Sequence, residues 1–309
     1  MIKDIFHLNQ QGQRENLEDC IYPAPGKATM KDRLFIVCDG VGGESKGEVA
    51  SRIACDSIGA FFSELKGLPI TEELIERSAV MAVSRMKDYT QLYPEAEKMS
   101  TTLTLVYLET NSAWAAWCGD SRIYHIRDGL ILWQSQDHSL VGELLATGQI
   151  SEEEAKSHPR KNVILRSLTA SESSPRISTH FINDLKPADF LLLCTDGLLE
   201  KLDESALRKI FSKEQNSQNK QRQILNLCEG ETRDNYSMYL VHLANSKSKK
   251  NFYIIILFAC LLVTTLVLAK KWGLAVKAEQ KTPTNQLDTT KRKVDNRAFN
   301  ILNSDQSIP

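Results

Sequence analysis

This chain lacks any C-x-x-C pair, and its cysteines are odd in number: Cys20, Cys38, Cys55, Cys118, Cys194, Cys228 and Cys260. An odd count with no pairing framework fits a reducing compartment. Cys38, Cys118 and Cys194 lie in apolar, strand-like runs, where cysteine acts as a small hydrophobe. No cysteine has a nearby basic motif or helix start to lower its pKa, so none is expected as a nucleophile. The first residues, Met1-Ile2-Lys3-Asp4-Ile5, lack the apolar stretch of a secretory signal. No internal repeat is visible. A basic body is missing too. Residues 247–309 hold eleven Lys and Arg against four acids, a charge of +7, which leaves -8 for residues 1–246 in a chain of net -1. An acidic body excludes nonspecific nucleic-acid binding and suits a cation-dependent site.

Long uncharged runs are absent except for Phe252 to Ala269, 18 residues without a charge. As a helix this run spans about 27 Å, close to the hydrocarbon thickness of a bilayer. Lys249 and Lys250 flank one end, and Lys270, Lys271 and Trp272 the other, as interface anchors do. The length and flanks favour a single-pass transmembrane helix over a buried core helix. The expected order is a folded domain at 1–245, a linker at 246–251, the membrane helix at 252–269 and a polar, disordered tail at 270–309. With no signal sequence, the domain is expected on the cytoplasmic face of the cell membrane.

Within 1–246 both periods occur. Glu44–Lys66 and Thr71–Gln91 show apolar residues at helical spacing, and Thr71 with Glu72 and Glu73 makes a helix start. Thr102–Leu108, Ala113–Cys118, Ile123–Ile126 and Leu130–Trp133 read as strands at hairpin spacing. Asp203–Phe211 and Lys220–Glu229 read as helices and Tyr236–Leu243 as a final strand. Strands at both ends with helices between predict an α+β fold.

Aspartate recurs where strands end. Asp39 follows Leu34–Cys38, Asp120 follows Ala113–Cys118, Asp196 follows Phe190–Thr195, and Asp234 leads into Tyr236–Leu243. Carboxylates gathered at one sheet edge repel unless a cation neutralises them, and oxygen ligands select Mg²⁺ or Mn²⁺. Asp128-Gly129 is set aside, because a hairpin turn explains it. Asp39-Gly40 is followed by Val41-Gly42-Gly43 and then a helix. Asp196-Gly197 also runs toward a helix, so neither is a hairpin.

The ordered motifs resemble those of the 2C-type metal-dependent serine/threonine protein phosphatases. They are Gly12-Gln13-Arg14 with Glu18-Asp19, Val37–Gly43 continuing to Gly47–Ser51, and Ser100-Thr101-Thr102. Cys118–Tyr124, Asp137–Val141, His158-Pro159 with Asn162 and Ile164–Arg166, Leu193–Leu198 and Asp234-Asn235 follow. Together they cover about 7–243. The resemblance implies a four-layer α-β-β-α sandwich of two antiparallel sheets flanked by helices, with the transmembrane helix appended. It implies two Mn²⁺ or Mg²⁺ ions bridged by Asp39, with Asp196 and Asp234 on one and Glu18 and the Gly40 carbonyl on the other. Asp19 would act through water or as an acceptor behind the ligands, and Asp120 would serve a third ion. Glu200 stands where the family has a further acid, though it is longer than the usual Asp. Arg14 is the implied phosphate clamp, since guanidinium matches two phosphate oxygens.

The implied reaction is hydrolysis of phosphoserine and phosphothreonine in proteins by a metal-activated water, opposing a cognate Ser/Thr kinase and acting on its substrates. Val41 replaces the histidine that some members carry after the Asp-Gly pair, so no general acid is evident there. His138 and His158 are weaker alternatives: His138 is expected to cap or order a turn, and His158 to pack beside Pro159. Gly142–Lys161 is expected to form a flap, and Glu152-Glu153-Glu154 to be a solvated helix face. Two rival functions remain: an inactive phosphoprotein-binding scaffold of the same fold, and a phosphatase acting on small molecules or on phosphohistidine.

Overall fold

The computed structural model describes residues 2–41, 46–65, 67–171, 174–212 and 216–244, with Thr264, Thr265, Val267, Leu268 and Lys270. The expected linker, tail and most of the 252–269 segment lie outside these. Among the described residues no helix is long and apolar enough to cross a membrane.

In chain order the first half comprises β1 (Ile2–Gln10), β2 (Cys20–Tyr22), β3 (Leu34–Cys38), β4 (Gly40–Val41), α1 (Gly47–Glu64) and α2 (Glu72–Leu92). Next come β5 (Ser100–Thr101), β6 (Leu103–Leu108), β7 (Ala113–Cys118), β8 (Arg122–Arg127) and β9 (Leu130–Gln134). The second half holds α3 (Leu140–Ala146), α4 (Glu152–Ser157), β10 (Leu168–Thr169), β11 (Ser178–Ile182) and β12 (Phe190–Cys194). It ends with α5 (Asp196–Leu199), α6 (Glu204–Ser212), α7 (Ser217–Cys228) and β13 (Tyr236–Leu243).

One antiparallel sheet runs β1-β13-β12-β8-β9 and a second runs β11-β7-β6-β3-β2; a small third, β10-β5-β4, sits beside them. Side-chain alternation along the strands sorts the apolar residues into three cores. Phe35 and Val37 of β3 meet Leu191 and Leu193 of β12 and Tyr239 and Val241 of β13 between the sheets. Leu34, Ile36 and Cys38 turn the other way, onto Ala50, Ala54 and Ile58 of α1 and Ala79 and Met86 of α2. Phe190, Leu192 and Cys194 face Leu207 and Phe211 of α6 and Ile224 of α7. Helix, sheet, sheet, helix is therefore the layer order. Strands buried on both faces read as unbroken apolar runs, which is why β3, β12 and β13 stood out. Each large aliphatic buried this way contributes about 1.5–3 kcal/mol.

Local signals behave as expected. The Thr71 hydroxyl accepts from the Leu74 N–H at 3.3 Å and starts α2. Asp128 and Gly129 both have positive φ, 50° and 78°, and close the β8–β9 hairpin. The flap segment holds α3 and α4. Ser151 and Glu154 form a capping box on α4, and Glu152 and Glu153 are exposed.

Candidate metal centre

Strand pairing brings the aspartates to one rim. Cys194, at the end of β12, pairs with Met238 near the start of β13 and with Arg122 at the start of β8. In the other sheet Leu103 pairs with Cys118, and Cys20 with Cys38. The chain exits carrying Asp19, Asp39, Asp120, Asp196 and Asp234 therefore share the same end of the sandwich.

Asp39 is held by its backbone. Its N–H donates to Thr102 Oγ1 at 3.0 Å, and its carbonyl accepts from the Thr102 N–H at 2.8 Å and from Thr101 Oγ1 at 2.7 Å. These bonds split Ser100-Thr101 off as a separate strand, so β6 starts one residue later than its apolar pattern suggests. Two close approaches lock the neighbouring turns. A Cβ on Gly40 would stand 2.3 Å from the Gly47 carbonyl oxygen, and one on Gly197 would stand 2.0 Å from that of Asn235. Neither turn has room for a side chain.

The carboxylates perturb one another. Burial pushes the Asp19 carboxyl up to about 8; Asp196 and Asp234 add repulsion, while hydrogen bonds to Ser237 and Thr195 work the other way. Burial likewise takes Asp120 to about 7, helped by Asp196 and Asp137. Asp39 is raised well above the carboxylate range by burial and then by Asp19, Asp196 and Asp120. Asp196 is raised by burial and by Asp234.

Two buried oxygens, Asp19 Oδ1 and Asp120 Oδ1, have no hydrogen-bond partner. Orphaned carboxylate oxygens among acids whose charge is penalised fit a hard divalent cation. As they stand, no three acidic, imidazole or thiol side chains among the described residues close around a single point. Asp39, Asp196, Asp19 and Asp120 form the cluster, each raising the carboxyl of at least one neighbour or raised by one. Asp234, at its edge, has Oδ2 engaged by Arg14 Nη2 at 2.6 Å. The guanidinium is 60% exposed, so the expected clamp lies at the rim of the cluster and is paired with an acid there. Glu18 joins through its backbone. Its N–H donates to Asn235 Oδ1 at 2.7 Å, and its carbonyl accepts from Gly40 N–H and Ser51 Oγ. Its Oε2 lies beside Gly47. Glu200 is exposed and accepts the Arg233 N–H, beside Asp234.

The two candidate histidines, His138 and His158, order turns. His138 stacks on Trp117, accepts from the Gly119 N–H and bonds Ser178; burial takes its imidazole down to about 4. His158 accepts the Arg160 N–H.

Other residues emerge only in three dimensions. Asn235, 5% exposed, donates to the Gln11 and Asn16 carbonyls while accepting from Glu18, so it ties the 11–18 loop to β13. Thr195 Oγ1 donates to Asp19 Oδ2 and accepts from the Ser237 N–H, each at 3.0 Å. Arg122 grips Asp137 with two bonds of 2.7 Å and joins β8 to the flap base. Asn235, Thr195, Arg122 and Asp137 all lie inside the quoted motifs, but no spacing rule names their partners.

The protein phosphatase 2C family profile matches residues 19–229. The serine/threonine phosphatase stp of Listeria innocua is 36% identical over 185 residues, 59% of this chain and 72% of the relative. Among solved structures, the serine/threonine phosphatase PstP of Mycobacterium tuberculosis superposes with a TM-score of 0.69 at 27% identity, covering 79% of this chain and all of that one. The catalytic domain of PstP in complex with two manganese ions gives 0.64 at 26% identity, covering 78% and 98%. With the matched region spanning most of the chain and the same sandwich beneath it, this chain belongs to the protein phosphatase 2C family.

Proposed function

We infer that the chain is a metal-dependent protein-serine/threonine phosphatase using Mn²⁺ or Mg²⁺. The observation that carries this reading is the cluster of buried Asp19 with half-buried Asp39, Asp120 and Asp196, with two orphaned oxygens, at the sheet rim of a protein phosphatase 2C domain. Asp39, Asp196 and Asp234 would hold one cation, and Asp39, Glu18 and the Gly40 carbonyl a second. Asp120 would serve a third, and Asp19 would accept behind the ligands. When bound, the cations make water acidic enough to supply a nucleophile near neutral pH and offset charge on the phosphoryl oxygens.

The chain's own groups prepare that site. Thr101 and Thr102 fix the Asp39 backbone, Thr195 aims Asp19, and Asn235 holds the Glu18 loop against β13. Arg14 binds two phosphoryl oxygens of the substrate. Its place at the cluster edge, paired with Asp234 and 60% exposed, supports that role.

The segment 252–269 would anchor the domain to the cytoplasmic face of the cell membrane. The uncharged run between Lys249-Lys250 and Lys270-Lys271-Trp272 supports this. There the enzyme would oppose a Ser/Thr kinase and act on that kinase's substrates.

The test is phosphate release from phosphothreonine peptides by the full chain. We expect turnover with Mn²⁺ and none in chelator. Turnover of p-nitrophenyl phosphate without any phosphopeptide hydrolysis would count against a protein substrate.

A further inference from the structure

Three cysteines far apart in sequence converge behind the acid cluster. Cys20 on β2 and Cys38 on β3 are direct cross-strand partners, so their side chains share a face. Cys55 on α1 packs onto that face. One turn before it, Ser51 Oγ bonds the Glu18 carbonyl, and one turn after it, Gly59 abuts the Tyr22 ring, so Cys55 stands opposite Cys20. Cys38 and Cys55 are buried in the core beneath α1, whereas Cys20 keeps some exposed surface. Each strand cysteine is bonded in sequence to a cluster acid: Cys20 follows Asp19, and Cys38 precedes Asp39. The function described above uses none of these thiols.

We propose that Cys20 and Cys55 form a peroxide-responsive disulfide that lowers phosphatase turnover. Hydrogen peroxide oxidises the partly exposed Cys20 thiol to a sulfenic acid, its O–O bond breaking and one oxygen leaving as water. The Cys55 sulfur then bonds the Cys20 sulfur and displaces the hydroxyl as a second water. Two thiol hydrogens and two electrons pass to the peroxide, and two waters leave, so the step balances. The bond would tie the strand carrying Asp19 to α1. That same strand start carries the Glu18 carbonyl, which accepts from Gly40 N–H and Ser51 Oγ, so a shift there reaches both acids of the first motif. Cys38 stands ready to exchange with the bridge from the Cys55 side.

The effect on turnover rests on the phosphatase reading; formation of the bond does not. The full chain is treated with hydrogen peroxide, alkylated without reduction and digested. Peptide mass spectrometry then reads whether a Cys20–Cys55 linked peptide appears, lighter by two hydrogens. Hydrolysis of a phosphothreonine peptide is followed in parallel. We expect the linked peptide, a loss of about tenfold in rate (~1.4 kcal/mol) and recovery with dithiothreitol. Cys20→Ser and Cys55→Ala should each start at the untreated rate and resist peroxide. Two variants are used because Cys55 is buried and Cys20 is not. Free thiols at both positions after treatment would overturn the proposal, as would a Cys20–Cys38 link in its place. A Cys20–Cys55 link with an unchanged rate would overturn its regulatory half. Absence of turnover in the untreated, reduced chain would instead count against the phosphatase reading.

Discussion

Replacing Asp19 with Asn should stabilise the metal-free protein at alkaline pH and weaken it once metal is present. Asp19 is 6% exposed, one of its oxygens has no partner, and burial pushes its carboxyl up to about 8. A carboxyl whose folded pKa lies above its unfolded value contributes stability below the unfolded value. That contribution is lost as pH rises through the folded one. The window therefore runs from about pH 4 to about pH 8. At about 1.4 kcal/mol per decade, the full rise would cost ~5 kcal/mol at its upper end. Asp39 and Asp196 compete for the same protons, so roughly half of that is the realistic share. Asn keeps an acceptor for the Thr195 hydroxyl and carries no charge. Urea unfolding in chelator, followed by the fluorescence of Trp114, Trp117 and Trp133, reads the difference. Wild type should lose stability across the window more steeply than Asp19→Asn, by up to one proton's worth of slope. With saturating Mn²⁺ the order should reverse, because ligand binding to the native state stabilises wild type more. Parallel curves in chelator would refute the argument.

Arg14→Ala should lower kcat/KM by about ten- to a hundredfold, and Arg14→Lys should recover only part of it, since an ammonium cannot match two oxygens at once; steady-state kinetics on a phosphopeptide checks this. Gly197→Ala should destabilise the fold by about 1–3 kcal/mol by overpacking against the Asn235 carbonyl, measured as a shift in the urea midpoint. Asn235→Ala should cost about 2–4 kcal/mol, because it leaves the Gln11 and Asn16 carbonyls and the Glu18 N–H without their partner. It should also weaken Mn²⁺ binding, which calorimetry would read.

Much of this site was legible because its parts are local. Asp39 and Asp196 follow apolar runs buried on both faces, and such runs announce themselves as strands. The Asp128-Gly129 turn was equally local. β1 was missed because Lys3, Asp4, His7 and Asn9 interrupt its pattern: it is an edge strand, with only Leu8 buried. β11 was missed for a related reason, since Ser178, Thr179 and His180 give little apolar signal on another edge. Pairings across long separations were not legible at all. Arg14 meets Asp234, Asn235 meets the 11–18 loop, and Cys20 meets Cys55 only after the sheets form. No periodicity encodes which of several acids a guanidinium will choose.

The central claim is that the aspartate cluster is a divalent-cation site organised by Asp39. Titration calorimetry of the full chain with Mn²⁺, beside Asp39→Asn, tests it most directly. The account predicts about two ions bound to wild type, by the chemistry of a carboxylate-bridged pair, and a loss of that binding in the variant while its unfolding transition stays cooperative. Equal Mn²⁺ binding by the two proteins, or none by wild type, would contradict it.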